Sequence, residues 1–284
     1  MSTTPSPVGA RAGAPVVLAV ANQKGGVAKT TSVASIGAAL AELGESVLLV
    51  DLDPQACLTF SLGVDPEDLE LSVHHVLTKG LHPSEVIVST DDGVDLLPAT
   101  IELARAEADL LTRTGREHVL KGALEDLAEA PDDRSYQWIL LDCPPSLGVL
   151  TVAALTAARG VLIPLQCETL SHRGVGQLLD TVHDVRRFTN RDLEVWGVLP
   201  TLYDGRTTHA RTVLETISET YDLEVIEPPI PKTIKFAEAP AAGRSILATS
   251  RSSKGARAYR EVAETLLRRS GRGRRSGRGK TTRR

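Results

Sequence analysis

Short unbroken apolar runs alternate along this chain with stretches whose apolar residues recur every three or four positions. Pro15 to Ala21 is the first such run, the mark of a strand covered on both faces. After a Gly-rich turn, Val33, Ile36, Leu40 and Leu43 trace one face of a helix that Gly44 closes. Ser46 to Asp51 predicts a second strand. Ile139 to Leu141 and Val161 to Leu165 predict strands around a helix from about Leu147 to Ala158. A helix from about Gly174 to Arg187 then precedes a strand near Glu194 to Leu199, and the Leu-, Ala-, Glu- and Arg-rich stretch 103–129 predicts helix with a solvated charged face. Alternating apolar strands and helices predict an α/β fold, a parallel sheet with helices on both faces, in a single domain over residues 14–268.

The two ends read differently. Residues 1–13, MSTTPSPVGARAG, are small, polar and rich in Pro and Gly, which predicts a disordered leader. Residues 269–284 are expected to be a disordered basic tail, since the last fifteen carry no apolar side chain. From Arg268 to Arg284 there are nine Lys or Arg and no acid, so the overall charge of −4 becomes −13 on residues 1–267. An acidic body with a basic end suggests contact with a polyanion or a membrane surface. Nine aromatic residues in 284 argue against a base-stacking, single-strand-binding platform. Cys57, Cys143 and Cys167 are too few and too far apart for a disulfide framework or a four-thiolate metal site, and fit a reduced compartment. No run reaches the ~18 apolar residues of a membrane span, and no charged segment with a long apolar core opens the chain, so neither a span nor a secretion signal is expected.

The segment Asn22-Gln23-Lys24-Gly25-Gly26-Val27-Ala28-Lys29-Thr30-Thr31 lies directly between a predicted strand and a predicted helix. There a Gly-rich loop can point backbone N–H groups at a phosphate, aided by the helix N-terminus. Lys29 would reach the β- and γ-phosphates, and the Thr30 hydroxyl would hold Mg²⁺. The usual G-x-x-x-x-G-K-[ST] pattern is broken twice, by Gln23 and by Ala28, and a second lysine, Lys24, stands five residues before Lys29. Taken alone, a Gly-rich turn before a helix can also be purely structural.

The sequence KGGVAKTT resembles the deviant Walker A motif of the ParA/MinD ATPases, whose common form is KGGVGKTT. Val47 to Thr59, VLLVDLDPQACLT, is similar to the family's second motif, usually ending DPQGNxT; Ile139 to Leu147, ILLDCPPSL, resembles its Walker B strand. Tyr203-Asp204 and Glu238-Ala239-Pro240 follow the ParA branch, and the resemblance covers nearly all of residues 15–268. It implies a P-loop NTPase fold, ATP and Mg²⁺ as ligands, and slow, partner-stimulated hydrolysis. It places Gly25, Gly26, Val27, Ala28, Lys29, Thr30 and Thr31 around the phosphates and assigns Mg²⁺ to Thr30 and, through water, Asp142. Asp53 would orient the attacking water, with Asp51 structural, and Pro231 would lie against the adenine. Lys24 would be the signature lysine, reaching across an ATP-dependent homodimer to the partner's nucleotide. The ParA branch further implies non-specific binding of double-stranded DNA through Arg206, Lys232 and Lys235. It also implies a ParB-like stimulator, a role in chromosome or plasmid partition, and a place in the bacterial cytoplasm at the nucleoid. Two alternatives stay open: a ParA-like paralogue that regulates replication or positions another cargo, and a MinD-like membrane switch, which would need an amphipathic C-terminal helix that Ala258 to Leu267 does not clearly provide.

The chain departs from that pattern in three places. Ala28 puts a Cβ where backbone approaches phosphate, which crowds the loop unless its φ is negative. Ala56-Cys57 replaces Gly-Asn, and Arg173 stands where Glu is usual. Cys143 invites comparison with the iron–sulfur nitrogenase iron proteins, but these cysteine spacings do not reproduce that ligand set. The neighbours His74 and His75 would face different ways on a helix, against a metal pair.

Overall fold

The computed structural model describes residues 13–129, 135–168, 171–205 and 208–272, without the side chains of 171, 172, 208 and 209. In chain order the main elements are β1 (Val16–Val20), α1 (Lys29–Glu42), β2 (Val47–Asp51), α2 (Cys57–Ser61), α3 (Val73–Lys79), β3 (Val88–Ser89), β4 (Asp95–Leu97), α4 (Leu103–Leu111) and α5 (Val119–Glu129). There follow β5 (Trp138–Asp142), α6 (Val149–Ala157), β6 (Gly160–Gln166), α7 (Ser171–Phe188), β7 (Glu194–Thr201), α8 (Thr208–Tyr221), α9 (Lys235–Ala241), α10 (Ile246–Thr249) and α11 (Lys254–Arg269). The strands form one sheet in the order β3-β4-β2-β5-β1-β6-β7. Only the β3–β4 pair is antiparallel.

The unbroken apolar runs are strands buried on both sides, as a parallel sheet between helices requires. Leu48, Val50, Ile139, Leu141, Val161 and Ile163 pack toward the layer of α3 to α8. Their sequence neighbours Val47, Leu49, Trp138, Leu140 and Leu162 pack toward α1, α2 and α9 to α11. On that second face Ala256, Tyr259, Val262, Ala263 and Leu266 of α11 are all buried, so this helix closes the core with its apolar stripe.

Two expectations are corrected. The stretch 103–129 is not one helix: α4 ends at Leu111, and Gly115, at φ 70°, turns the chain before α5. The ordered body also extends past residue 268. Arg269 donates to the Trp196 carbonyl and to Glu224, each at 2.6 Å, and Arg272 donates to the Ala14 carbonyl at 2.6 Å. Residues 269–272 are therefore packed rather than part of the tail. Residues 1–12 and 273–284, which hold most of the expected leader and tail, lie outside the described residues.

Candidate functional site: a phosphate loop beside two buried carboxylates

Parallel pairing brings the site residues to one edge of the sheet. Asp142, the last residue of β5, is in register with Val20 on one side and Asp51 on the other. The loop after β1 and both acids therefore meet at the carboxyl ends of the strands, where ligands enter open α/β sheets.

The loop is braced by side chains far away in sequence. Asn22 donates from Nδ2 to the Pro164 carbonyl at 2.7 Å and accepts the Lys24 N–H on Oδ1 at 3.0 Å. Thr201, at the end of β7, donates to the Val27 carbonyl at 2.9 Å. Gly26 has φ 73°, and Ala28 is left-handed, at φ 63° and ψ 36°. The negative φ that would relieve crowding at Ala28 is thus not what the chain adopts. Helix α1 starts at Lys29 with no side-chain cap and no acid in its first turn. Its first N–H groups and its dipole are open to an anion.

The two lysines of the loop differ. Lys29 is buried, and its Nζ donates to the Lys24 carbonyl at 3.1 Å. Burial lowers its pKa, against the opposing pull of Asp142, Cys143 and Asp53. Lys24 is half-exposed and forms an ion pair with Glu168. Lys24 also lines a cleft of about 490 Å³ with Asn22, Gln23, Pro145, Arg173 and Gln177.

Asp51 and Asp142 are fully buried, yet they are treated differently by their surroundings. Asp51 accepts the Asp53 N–H at 3.1 Å, the Thr59 N–H at 2.9 Å and the Thr59 hydroxyl at 2.7 Å. It ties the end of β2 to α2, and burial raises its pKa to about 6. Among the described residues, neither oxygen of Asp142 has a hydrogen-bond partner of ordinary geometry. Burial first, then the Asp51 charge, push its pKa far up, while Thr30 and Lys29 pull it back. A buried carboxylate without a partner of ordinary geometry, facing a hydroxyl and a lysine, is the environment a hydrated divalent cation would complete. The residues present fit Mg²⁺. Asp53, half-buried at the start of the next turn, accepts the Gln55 N–H at 3.0 Å and contributes to the field at Lys29.

Lys24, Gly25, Gly26, Val27, Ala28, Lys29, Thr30, Thr31, Asp53 and Asp142 are thus gathered in one place. Pro231 bridges to Tyr203 just beyond the β7 terminus that holds Val27. Lys232 is exposed, and exposed Lys235 pairs with Glu238 at 2.7 Å. Arg206 lies outside the described residues. His75 accepts the Ser72 N–H at 3.3 Å as part of the α3 cap, and its ring stands edge-on to His74. Of the cysteines, Cys143 and Cys167 are buried and Cys57 is exposed. No helix among the described residues is long and apolar enough to cross a membrane. Sequence reading missed Glu168 and Thr201, whose partners Lys24 and Val27 are more than a hundred residues away; Asn22 and Thr59 stood inside quoted motifs without a role.

The AAA domain family matches residues 16–195. The sporulation initiation inhibitor protein Soj of Bacillus subtilis is 41% identical over 251 residues, 88% of this chain and 97% of Soj. The chromosome-partitioning ATPase Soj of Thermus thermophilus is 43% identical over 250 residues, 88% of this chain and 94% of that protein. The cobyrinic acid a,c-diamide synthase of Mycobacterium smegmatis, solved with ADP and magnesium, superposes with a TM-score of 0.80 at 57% identity, covering 92% of this chain and 97% of that one. With its seven-stranded sheet, its KGGVAKTT loop and these relatives, the chain belongs to the ParA-type P-loop ATPases: it is a partitioning ATPase that hydrolyses ATP with magnesium.

Proposed function

We propose that the ATPase works as a switch: ATP joins two subunits, the dimer holds double-stranded DNA without sequence preference, and a ParB-like partner stimulates hydrolysis and release. The observation that carries this reading is the contrast between the loop's two lysines. Lys29 is buried against its own loop and serves the phosphates of its own subunit. The Lys24 side chain is partly exposed and paired with the partly exposed Glu168, and in this reading it reaches a second subunit. A cation supplied in trans stabilises phosphoryl-transfer charge only in the dimer.

The remaining roles are those the family resemblance implies. Backbone N–H groups of Gly25 to Thr31 cradle phosphate oxygens at the α1 N-terminus, and Lys29 neutralises charge on the transferred group. Thr30 and, through water, Asp142 would hold Mg²⁺, which would supply charge neutralisation at the phosphates. Asp53 orients the attacking water, and Pro231 lies against the adenine. Arg206, Lys232 and Lys235 are the cations assigned to DNA phosphate; Lys in place of Arg keeps the charge but gives up bidentate contact. Lys235 must also leave Glu238 to do so. The acidic body and the six basic residues in 273–284 suit a tail that adds counterion-release affinity, and the cytoplasm at the nucleoid is where such a protein would act.

The test is duplex binding with ATP, ADP or no nucleotide, for wild type, Lys24→Ala and a chain ending at Arg272, which preserves α11 and the Arg272–Ala14 contact. Binding promoted by ATP alone, abolished by Lys24→Ala and only weakened by truncation, is expected. Binding that ignores nucleotide and disappears with the tail would overturn the switch and favour a paralogue serving another cargo.

Two other readings have less support. The apolar side of α11 is consumed by the core, which removes it as a bilayer-binding face. The Mycobacterium smegmatis relative suggests amide synthesis. Drawing nitrogen from glutamine calls for an activated thiol, yet burial raises the pKa of all three cysteines. Absence of ATP-dependent amidation of a corrinoid carboxylate, with either glutamine or ammonia supplied, would close that reading.

A further inference from the structure

A chain of hydroxyls joins the last helix to the phosphate loop. Tyr259 of α11 is fully buried, packed edge-on against Phe236, and its hydroxyl lies 2.9 Å from Ser32 Oγ on α1. Ser32 Oγ is in turn 2.7 Å from the carbonyl oxygen of Ala28, which also accepts the Ser32 N–H at 2.9 Å. The direction of the relay is fixed by elementary inventory. A carbonyl can only accept, so the single Ser32 hydroxyl proton points to Ala28, and the Tyr259 proton must point to Ser32.

That carbonyl belongs to the peptide joining Ala28 to Lys29. It follows a residue held in the left-handed region, where an alanine is strained. Two donors converging on one oxygen fix the plane of this peptide, and with it the direction of the Lys29 N–H. A phenylalanine would fill the Tyr259 site without carrying a hydroxyl into the core, where an unbonded one is expensive.

We propose that Tyr259 is a positioning residue for ATP: acting through Ser32, it holds the Ala28–Lys29 peptide in the orientation that presents the loop to the phosphates. The proposal rests on the assignment of residues 24–31 to the phosphates and names a determinant of that assignment in a distant helix.

The experiment measures KM and kcat for ATP, and nucleotide-free melting temperature, for Tyr259→Phe, Ser32→Ala, the double variant and Val262→Ala. Loss of one neutral hydrogen bond corresponds to a change of roughly 3- to 10-fold, so each single relay variant should raise KM by that factor, with kcat within about twofold of wild type. The double variant should cost no more than either single, because both break one chain. Val262→Ala removes buried volume from the same helix without touching a hydroxyl; it should lower the melting temperature and leave KM unchanged. Tyr259→Phe with unaltered KM, additive single effects, or an equal rise in KM from Val262→Ala would each overturn the proposal. Wild-type ATP affinity in Lys29→Ala would instead overturn the assignment of the loop, so the two failures are separable.

Discussion

Ala28 and Ala56 adopt the same left-handed backbone, at φ 63° and φ 51°, and each immediately precedes a helix at the carboxyl edge of the sheet. Each stands where the resembling motifs carry glycine. An L-residue there costs roughly 1–2 kcal/mol, partly offset because glycine loses about 0.5–1 kcal/mol more in chain entropy on folding. Ala28→Gly and Ala56→Gly are each expected to stabilise the nucleotide-free protein by about 0.5–1 kcal/mol. Thermal or urea unfolding checks this, and unchanged or lower stability in both variants would mean that the surrounding loop has fully absorbed the strain.

The buried pair Asp51 and Asp142 makes the stability of the site pH-sensitive. Both pKa values are raised on folding, Asp51 from 3.8 to about 6. The folded state therefore holds these protons more tightly than the unfolded chain. The associated stability is complete below the unfolded pKa and is lost as pH rises through the folded values. Ionised Glu42, paired with Arg260, acts in the opposite sense, since its folded pKa is lowered and its contribution fades on acidification. Asp142→Asn removes one member of the pair, so its melting temperature should exceed that of wild type by a margin that grows from pH 4 to pH 8. A constant or shrinking margin would show that Asp142 is not a strained carboxylate.

The same substitution should cost hydrolysis. A residue that holds a metal through water is typically worth 10- to 100-fold, so a fall of about that size in Mg²⁺-dependent ATP turnover is expected alongside the gain in stability. Steady-state phosphate release measures it, and turnover within about twofold of wild type would remove Asp142 from the metal site.

Thiol chemistry offers an independent check of the packing. Cys57 is the exposed cysteine; Cys143 is fully buried, and burial pushes Cys167 up to about 11. Burial and the neighbouring acids Asp53, Asp51 and Asp142 also raise Cys57, so its reaction should be slow as well. A thiol reagent is expected to count one cysteine in the native protein and three in denaturant. A second rapidly reacting native thiol would contradict the burial of Cys143 or Cys167.

Much of this was legible in the sequence, for identifiable reasons. β1, β2, β5 and β6 announce themselves because a strand buried on both faces must be apolar throughout. The break between α4 and α5 was also written in the chain, as Thr112-Arg113-Thr114-Gly115, but the helical periodicity on either side concealed it. β3 and β4 were not legible. Val88–Ser89 and Asp95–Leu97 are too short to show a period and become strands only by pairing, β4 with β2 and β3 with β4. α9 carries Pro240 inside seven residues, a poor helical signal. In the site, local motif yielded the lysines and the aspartates. The braces did not follow from it, because Asn22 meets Pro164, and Thr201 meets Val27, only after the sheet has assembled.

The pairing of α1 with α11 also has a meaning for biosynthesis. The strand, loop and helix of residues 16–42 emerge from the ribosome early, whereas the helix that covers them, Lys254–Arg269, emerges some two hundred residues later. Until then Val33, Ile36 and Leu40 lack the α11 half of their cover, and the carbonyl of Ala28 lacks the Ser32–Tyr259 support. A nascent or prematurely terminated chain should therefore be a client for chaperones rather than a competitor for ATP, and only finished molecules would enter the nucleotide cycle.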